Sequence, residues 1–228
     1  TDFDTTNADS KLEAQDLDAV IVPGGFGERG IEGKLASVKW AREHGIPFLG
    51  ICLGFQMAVV EFARNVAGLD GANSTEIELN CAYPVIDELP DQKEIEGLGG
   101  TMRLGGQDVQ ITEGSFAAQL FDATHARERF RHRYEVEPKF IPQLTDAGLI
   151  FSGRHPEHEI MQVLELPASI HPYFIAGQFH PELTSRPLRP QPMFMGLVAA
   201  GIAHREGGNQ PSHIHTRWLA SKATPSTV

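Results

Sequence analysis

The chain has 228 residues, of which 41% are hydrophobic, so it is long and apolar enough to form one large domain or two small ones. Its formal net charge of -11 makes general binding of nucleic acid a poor prospect. The two cysteines, Cys52 and Cys81, allow at most one disulfide, which excludes a disulfide-rich secreted scaffold and favours a reducing, cytoplasmic location.

The predicted domain lies between two polar ends. Residues 1–16 are polar and acidic, unlike a signal peptide, and are interpreted as a polar N-terminal segment that is a truncated start of the domain. Residues 205–228 are rich in Gly, Ser, Thr and Pro, a composition that predicts a disordered tail. Residues 17–204 are therefore expected to form the domain itself. No apolar run approaches the ~20 residues needed to cross a bilayer, so no membrane is expected as a partner.

Apolar runs and their periodicity predict the elements of this domain. In chain order they are a strand at 17–22, a helix at 31–44, a strand at 46–51, a helix at 53–67, a strand around Ile111, a short helix at 115–120, an extended segment at 127–136, strands at 149–152, 161–166 and 174–179, and a closing helix at 193–204. The polar stretch 153–159 predicts a hairpin turn. Strands that alternate with helices are typical of a parallel sheet covered on both faces. We therefore expect an α/β fold with an open, mostly parallel twisted sheet, helices on both faces and a few antiparallel late strands.

The sharpest local signal is Gly-Ile-Cys-Leu-Gly at 50–54, between a predicted strand and a predicted helix. A nucleophile in such an elbow lies on a strained turn, and the flanking glycines leave room for the crowded backbone. The helix N-terminus favours the thiolate of Cys52, and the N–H of Leu53 can donate to an oxyanion. Alternatively, Cys52 is a small buried core residue, as most free cysteines are. Cys81 lacks flanking glycines and is interpreted as structural.

A base for this thiol is offered by Gln-Phe-His-Pro-Glu at 178–182. His180 and Glu182 are two residues apart, so at the end of an extended strand their side chains point the same way. The carboxylate can then fix the tautomer of the imidazole. Taken alone, His180 could equally be an ordinary surface or core histidine.

A second glycine motif, Pro-Gly-Gly-Phe-Gly at 23–27, follows the first predicted strand. Neighbouring strand ends of a parallel sheet share one crevice, so N–H groups of this loop could face the thiolate and complete an oxyanion hole. The loop could instead bind a dinucleotide or form a plain tight turn. The absence of G-x-G-x-x-G spacing disfavours the dinucleotide.

In this order, PGGFG, GICLG and QFHPE resemble the motifs of the triad-type, or class I, glutamine amidotransferases. The longer stretches PGGFGERG, IPFLGICLGFQ, NSTE, GGTMRLG, RHRYEV and QFHPE resemble the C-terminal glutaminase domain of the CTP synthase family. The resemblance runs from about Leu17 to Ala203, and GGTMRLG and RHRYEV are its most specific parts. It implies a flavodoxin-like amidotransferase fold and hydrolysis of L-glutamine to glutamate and ammonia through a glutamyl thioester.

The resemblance also implies a role for each matched residue. Cys52 would be the nucleophile, and His180 and Glu182 would complete the triad. The oxyanion donors would be the N–H groups of Gly25 and Leu53. The substrate-binding set would be Gly25, Phe26, Leu53, Gly54, Phe55, Gln56, Glu76 and Arg133. No metal site is expected in this domain.

The chemistry of glutamine agrees with two members of this set. Its α-ammonium and α-carboxylate require an anion such as Glu76 and a cation such as Arg133 in the pocket. Taken alone, Glu76 could cap a helix or turn, and Arg133 could form a surface ion pair. The other three arginines of this basic stripe, Arg127, Arg129 and Arg131, are expected to face solvent or an interface.

The remaining partners are implied by the resemblance alone. The full enzyme would have an N-terminal amidoligase domain that binds ATP, UTP and Mg²⁺ and uses the ammonia to convert UTP to CTP, with GTP as activator and a homo-oligomeric assembly. Arg29, in the Gly-Glu-Arg-Gly loop, is a candidate participant in GTP activation. The sequence shows no amidoligase domain and lacks the strand and helix usual at the start of the glutaminase domain, so one part of the sheet is expected to be incomplete. The residues after Arg205 match nothing in the family.

Two other functions stay open at this point. The elbow and QFHPE alone would suit another triad hydrolase, such as a γ-glutamyl peptide hydrolase, although GGTMRLG and RHRYEV argue against it. The same fold could also serve as a catalytically silent regulatory or assembly domain. Retention of Cys52, His180 and Glu182 disfavours that interpretation.

Overall fold

The computed structural model describes residues 8–89 and 102–207, so parts of both predicted polar ends lie outside the described residues. The helices are α1 (Ala8–Glu13), α2 (Ile31–His44), α3 (Leu53–Asn65), α4 (Phe116–Phe121), α5 (Ile141–Asp146) and α6 (Pro192–Arg205), with short 3₁₀ turns at Pro138–Phe140 and Pro181–Leu183. The strands are β1 (Val20–Val22), β2 (Phe48–Ile51), β3 (Ala72–Ser74), β4 (Tyr83–Asp87), β5 (Arg103–Ile111), β6 (His125–His132), β7 (Glu135–Val136), β8 (Ile150–Arg154), β9 (Met161–Glu165) and β10 (Phe174–Gly177).

The main sheet has seven strands in the order β1-β2-β10-β9-β8-β5-β6. Only β1–β2 and β2–β10 pair in parallel, and the other neighbours pair antiparallel. The prediction of a mostly parallel sheet is therefore wrong. Parallel pairing needs a long crossover such as α2, which joins β1 to β2, whereas β8 and β9 are joined by a short turn and must run antiparallel. The predicted hairpin at 153–159 is confirmed.

Helices cover both faces of this sheet, as predicted. Adjacent residues of one strand belong to different apolar clusters: Phe48 packs with α2 and α3, whereas Leu49 packs with α4 and α6. Since successive strand residues point to opposite faces, the two clusters lie on opposite sides of the sheet. The helix α1 contributes the buried Leu12 to the first cluster, so part of the predicted polar N-terminal segment joins the fold.

A second, small sheet has the order β3-β4-β7 and supports the candidate site from the side of α3. Sequence periodicity did not predict β3 or β4, because β3 is only Ala-Asn-Ser and carries no apolar alternation. The helix α2 begins and ends as predicted, and its end at Gly45 has the left-handed φ of 67° that favours glycine. The closing helix extends to Arg205, one residue beyond its predicted end, and 208–228 lie outside the described residues.

Candidate active site

Cys52 lies directly between β2 and α3, where the sequence places the elbow. Its φ of 51° and ψ of -100° are strained for a residue with a side chain, which confirms the prediction of an unfavourable backbone conformation. The glycines are required by close backbone contacts. A Cβ on Gly54 would lie 2.0 Å from the carbonyl oxygen of Val22, and one on Gly50 would lie 2.7 Å from that of Gly54. The elbow therefore depends on β1 packing tightly against the first turn of α3.

The thiol of Cys52 is enclosed by polar groups of other elements. Its Sγ lies 3.7 Å from the carbonyl oxygen of Arg131, to which it donates, and 3.7 Å from Nε2 of Gln178, which donates to it. Burial raises the pKa of Cys52 to about 12, although the N–H of Leu53 lowers it, and nearby carboxylates, Glu182 first, raise it further. The N–H of Leu53 at the start of α3 thus favours the thiolate, as expected, but burial outweighs it and the pKa of Cys52 is raised.

His180 lies just beyond β10 and shares a wall of the site with Cys52. A Cβ added to Gly24 would lie 2.9 Å from Cε1 of His180 and 3.4 Å from Cβ of Cys52, so the two side chains flank the same glycine. The Nδ1 atom of His180 lies 2.6 Å from Oε1 of Glu182. The Nε2 atom is buried and has no hydrogen-bond partner in the described chain. The ring is thus fixed at one nitrogen and available at the other.

The His180–Glu182 pair forms by a different local structure from the one predicted. Glu182 lies in the 3₁₀ turn Pro181–Leu183 and not on an extended strand end. The turn brings its carboxylate back to the ring, and the N–H of His180 donates to the carbonyl oxygen of Arg129 at 2.8 Å. The edge strand β6 therefore holds His180 through its backbone and contacts Cys52 through the neighbouring Arg131.

Most of the predicted substrate-binding residues line one small cavity next to Cys52. The cavity has a volume of about 10 Å³ and is lined by Gly25, Phe26, Cys52, Gln56, Glu76, His132, Arg133 and Tyr134. A Cβ on Gly25 would lie 3.3 Å from the Leu53 side chain, so the two residues predicted to supply the oxyanion donors are neighbours. Leu53, Gly54 and Phe55 do not line the cavity: Gly54 packs on the Val22 backbone, and Phe55 is fully buried in the core. Their roles in substrate binding stay predictions.

Glu76 and Arg133 contribute opposite charges to this cavity. Oε1 of Glu76 accepts a hydrogen bond from the N–H of Gly27 at 3.3 Å, which ties the glycine loop to the site. Arg133 is exposed on the turn between β6 and β7. Phe26 is 53% exposed and its ring centroid lies 5.6 Å from the guanidinium carbon of Arg131, a cation–π contact at the rim of the cavity. A molecule of amino-acid size fits only if this rim moves, because the cavity has room for about one water.

The other arginines of the basic stripe lie on the exposed face of β6, as the alternation of the strand requires, and Arg131 contacts Phe26 at the rim of the cavity. Arg127, Arg129 and Arg131 are exposed, whereas Glu128, Phe130 and His132 are buried. Arg127 pairs with Asp108 at 3.1 Å on the solvent side. Only Arg133, beyond the end of the strand, reaches the cavity.

Comparisons with known proteins decide the family. A family model described as glutamine amidotransferase class-I matches residues 1–200. The chain is 53% identical over 194 residues to the CTP synthase of Methanococcus aeolicus, and 55% identical over 194 residues to that of Haloarcula marismortui, each match covering 85% of this chain. A solved structure, the Trypanosoma brucei CTPS glutaminase domain with bound acivicin, matches with a TM-score of 0.80 and 36% identity, covering 87% of this chain and 76% of that one.

The chain is a class-I glutamine amidotransferase domain of the CTP synthase type. It spans only about a third of the curated relatives, 36% of the Methanococcus protein and 34% of the Haloarcula protein. In the described ranges of this amidotransferase domain, no helix is both long and apolar enough to cross a membrane. No cluster of three or more His, Cys, Asp or Glu residues that suits a metal ion occurs there either.

Sequence reasoning missed four polar residues of the amidotransferase site. His132 and Tyr134 line the cavity, Gln178 donates to the thiol, and Glu135 pairs with His132. Three of them belong to RHRYEV, the motif that supplied Arg133, and the fourth belongs to QFHPE. The strand alternation that buries Phe130 could have identified His132, but a buried histidine carries no further signal in a sequence.

A larger hollow of about 680 Å³ lies elsewhere in the amidotransferase domain. It is lined by residues near the start of β6 and the start of α6: Phe121, His125, Ala126, Arg127, Glu128, Thr184, Leu188, Arg189, Pro190, Gln191, Pro192 and Met195. None of the predicted site residues lines it. The candidate active site is identified by its converging side chains and not by its volume.

Proposed function

We propose that this domain hydrolyses L-glutamine to glutamate and ammonia, with Cys52 as nucleophile, His180 as base and Glu182 as the carboxylate that orients it. The observation that carries this proposal is the state of the His180 ring. Its Nδ1 is held by Glu182 at 2.6 Å and its Nε2 is buried without a hydrogen-bond partner in the described chain, while the ring and the Cys52 side chain flank the same glycine, Gly24. An imidazole held in this way can accept a proton from a neighbouring thiol.

The first half-reaction forms a thioester. The Cys52 proton moves to Nε2 of His180 and Sγ attacks the side-chain amide carbon of glutamine. The negative charge that moves to the amide oxygen is stabilised by the N–H groups of Gly25 and Leu53. His180 then gives the proton to the amide nitrogen, the C–N bond breaks, and ammonia leaves.

The second half-reaction releases glutamate. His180 takes a proton from a water molecule, which attacks the thioester carbon. The C–S bond breaks, the proton returns to the sulfur of Cys52, and the neutral thiol is restored. Because burial raises the pKa of Cys52 to about 12, we expect the thiolate to form only during the reaction, through His180.

The charges of the cavity suit the two ends of the substrate. Glu76 faces the α-ammonium and Arg133 the α-carboxylate, and Gln56 and Phe26 complete the walls. Entry of glutamine requires the Phe26–Arg131 contact at the rim to open. The relatives support this assignment, because the CTP synthases of Methanococcus aeolicus and Haloarcula marismortui are 53% and 55% identical to the chain.

In the full protein, we propose that the ammonia aminates UTP to CTP. The reaction would use ATP and Mg²⁺ bound to an amidoligase domain, and GTP would activate glutamine hydrolysis. Arg29, in the loop that follows the glycine motif, is our candidate for transmitting that activation. The test is glutamine-dependent formation of CTP when this domain is joined to an amidoligase domain, with ammonia-dependent formation as the control.

The experiment that tests the domain's own activity compares two cysteine variants. Cys52→Ala should lower glutamine hydrolysis by at least about 10⁴-fold, as loss of a nucleophile does in other triad enzymes. Cys81→Ala should change it by less than about threefold, because Cys81 does not line the cavity. The assay measures glutamate released from glutamine, and retained activity in Cys52→Ala contradicts the mechanism.

The two alternative functions give different results in the same assay. Turnover of γ-glutamyl peptides that exceeds turnover of glutamine indicates a peptide hydrolase. Absence of turnover, together with failure of Cys52 to react with a glutamine-mimicking electrophile, indicates a silent regulatory domain.

A further inference from the structure

A buried polar cluster lies behind the wall of the cavity that carries Arg133. It consists of Arg103 at the start of β5, His132 at the end of β6 and Glu135 at the start of β7. Oε1 of Glu135 lies 2.8 Å from Nε of Arg103 and 2.8 Å from Nε2 of His132. Arg103 and His132 are also directly paired residues of the β5–β6 ladder. The cluster therefore joins the main sheet to the small sheet at the turn 132–135.

Glu135 supplies the negative charge of this cluster. Its side chain is fully buried. Burial alone would raise the pKa of Glu135, but the charges of His132 and Arg103 hold it below its usual value. A buried carboxylate of this kind is held in place by its cations, because leaving it unpaired is costly. The imidazolium form of His132, which is the form that pairs with a carboxylate as an ion, has an N–H group at Nδ1 that is a hydrogen-bond donor.

The Nδ1 atom of His132 is buried and has no hydrogen-bond partner among the residues that the structure describes. His132 also lines the cavity beside Cys52, Glu76 and Arg133. Nε2 lies 2.8 Å from Oε1 of Glu135 in an ion pair, although without the geometry of a hydrogen bond, so Nδ1 is the ring nitrogen left for a molecule in the cavity. A buried donor without a partner is unfavourable, and a ligand that accepts its hydrogen bond removes that cost.

We propose that Nδ1–H of His132 donates to the α-carboxylate of the substrate, as a second cationic contact beside Arg133. This inference rests on the proposed glutaminase function. The carboxylate is the end of glutamine that suits a cation, because the ammonium requires Glu76 and the amide must reach Cys52.

The two cationic contacts differ in how they are held. Arg133 is exposed, and no ion pair or hydrogen bond fixes its side chain in the described chain. His132 is fixed by Glu135, which is fixed in turn by Arg103. A donor held in position before binding loses little entropy when the ligand arrives, so His132 sets the position of the carboxylate.

Two variants of His132 separate its two nitrogens. In His132→Gln, the side-chain amide nitrogen takes the place of Nε2 and preserves the contact to Glu135. In His132→Asn, the side-chain amide nitrogen takes the place of Nδ1 and preserves the donor to the cavity. We expect His132→Gln to weaken glutamine binding by about 10- to 100-fold with little loss of Tm, the range for a hydrogen bond to a charged group. We expect His132→Asn to lower Tm but to weaken glutamine binding by less than about threefold.

Binding is measured as the glutamine concentration that protects Cys52 from iodoacetamide, and KM and kcat are measured in parallel. The protection assay does not require turnover, so absence of hydrolysis and absence of a His132 contact are separate results. If the wild type does not hydrolyse glutamine, but glutamine protects its Cys52 and this protection depends on His132, the glutaminase function is contradicted and the His132 contact is supported. Absence of protection by glutamine contradicts the contact.

A second ligand, glutamine α-amide, in which an amide replaces the α-carboxylate, tests which group of the substrate His132 recognises. For this ligand, which lacks the carboxylate, the difference between wild type and His132→Gln should shrink to less than about twofold. An undiminished difference would show that His132 acts elsewhere on the substrate. If the Gln and Asn variants both weaken glutamine binding in proportion to their loss of Tm, the role of His132 is only structural. Either of these two results overturns the proposal.

Discussion

The elbow at Cys52 and the turn between β6 and β7 form two walls of one cavity, but they are held in different ways. The elbow is held by close backbone packing, in which Gly54 leaves no room for a side chain against Val22. The turn is held by buried charges, in which Glu135 joins Arg103 and His132. The glycines of the first wall lie within one motif of five consecutive residues, although they pack on Val22 of another strand, whereas the charges of the second wall are spread over 32 positions of the sequence.

This difference has a chemical consequence. Cys52 is fixed by steric fit, which places one atom accurately and tolerates no added volume. The wall that is proposed to meet the charged end of the substrate is fixed by ion pairs, which place donors and tolerate little change of charge. A different substitution breaks each kind of support.

The largest effect is expected at Glu135. Glu135→Ala should lower the free energy of unfolding by about 3–5 kcal/mol, because Arg103 and His132 remain buried without their carboxylate. Denaturant unfolding measures this loss. Glu113→Ala, at an exposed site, is the control and should change stability by less than about 0.5 kcal/mol. A small loss at Glu135 would mean that the cluster does not hold the turn.

The steric support of the elbow is tested by Gly54→Ala. The added Cβ would lie 2.0 Å from the backbone oxygen of Val22, so the strand or the helix must move. We expect a loss of about 3 kcal/mol, at the upper end for an overpacked site. Gly106→Ala is the matched control, since its Cβ meets only the flexible Arg127 side chain at 3.4 Å. Equal stability of the two variants would contradict the tight elbow.

The charged wall is tested in catalysis by Arg133→Ala. We expect kcat/KM for glutamine to fall by an amount equivalent to about 1.5–3 kcal/mol, the range for a hydrogen bond to a charged group. Arg133→Lys should restore little, because an ammonium lacks the bidentate geometry of a guanidinium. Alkylation of Cys52 by a small neutral reagent should be almost unchanged. Arg129→Ala, on the solvent face of the same strand segment, should barely affect hydrolysis, and equal behaviour of the two Ala variants would remove Arg133 from the site.

The smallest expected effect is on the pH dependence of stability, to which two buried carboxyl groups contribute with opposite sign. The pKa of Glu135 is lowered in the fold, despite its burial, by His132 and Arg103. Its stabilising contribution is therefore present above the ordinary carboxyl pKa near 4.5 and is lost as the pH falls through the lower folded value. Burial raises the pKa of Glu128, although Thr184 and Gln191 donate to it, so its ionisation opposes folding as the pH rises through the higher folded value.

Two glutamine variants check these signs by unfolding at pH 7 and at pH 4. The destabilisation caused by Glu135→Gln should be greatest at pH 7 and should shrink towards acid pH. Glu128→Gln should be more favourable, relative to the wild type, at pH 7 than at pH 4. The same sign for both variants would contradict the opposite pKa shifts of these two carboxyls.

The sequence predicted the first wall more fully than the second. The elbow, the helix α2 and the hairpin of β8 and β9 are confirmed, because each follows from consecutive residues with a clear pattern. The pairing of His180 with Glu182 was predicted from their spacing, but it is formed by a 3₁₀ turn, which the proline at 181 favours. The domain bounds at 17 and 204 stay a prediction, as do the roles of the site residues.

The direction of the strands and the membership of the cavity required the tertiary structure. The mostly parallel sheet was inferred from the alternation of strands and helices near the start of the chain, which does not extend to the meander from β5 to β9. Leu53–Gln56 were treated as one binding stretch, but a helix turns successive side chains in different directions, so Phe55 is directed into the core while Gln56 lines the cavity.

By itself, the sequence determined the nucleophile elbow, the glycine loop and the family, because these depend on the order and size of adjacent residues. Only the tertiary structure decided that His132 shares the cavity, that Glu135 and Arg103 support it, and that burial keeps Cys52 a neutral thiol. The physical reason is that burial and charge pairing are properties of the space between elements. A sequence specifies which charges are present, but only the packed sheets decide which of them are brought within 3 Å of each other and out of water.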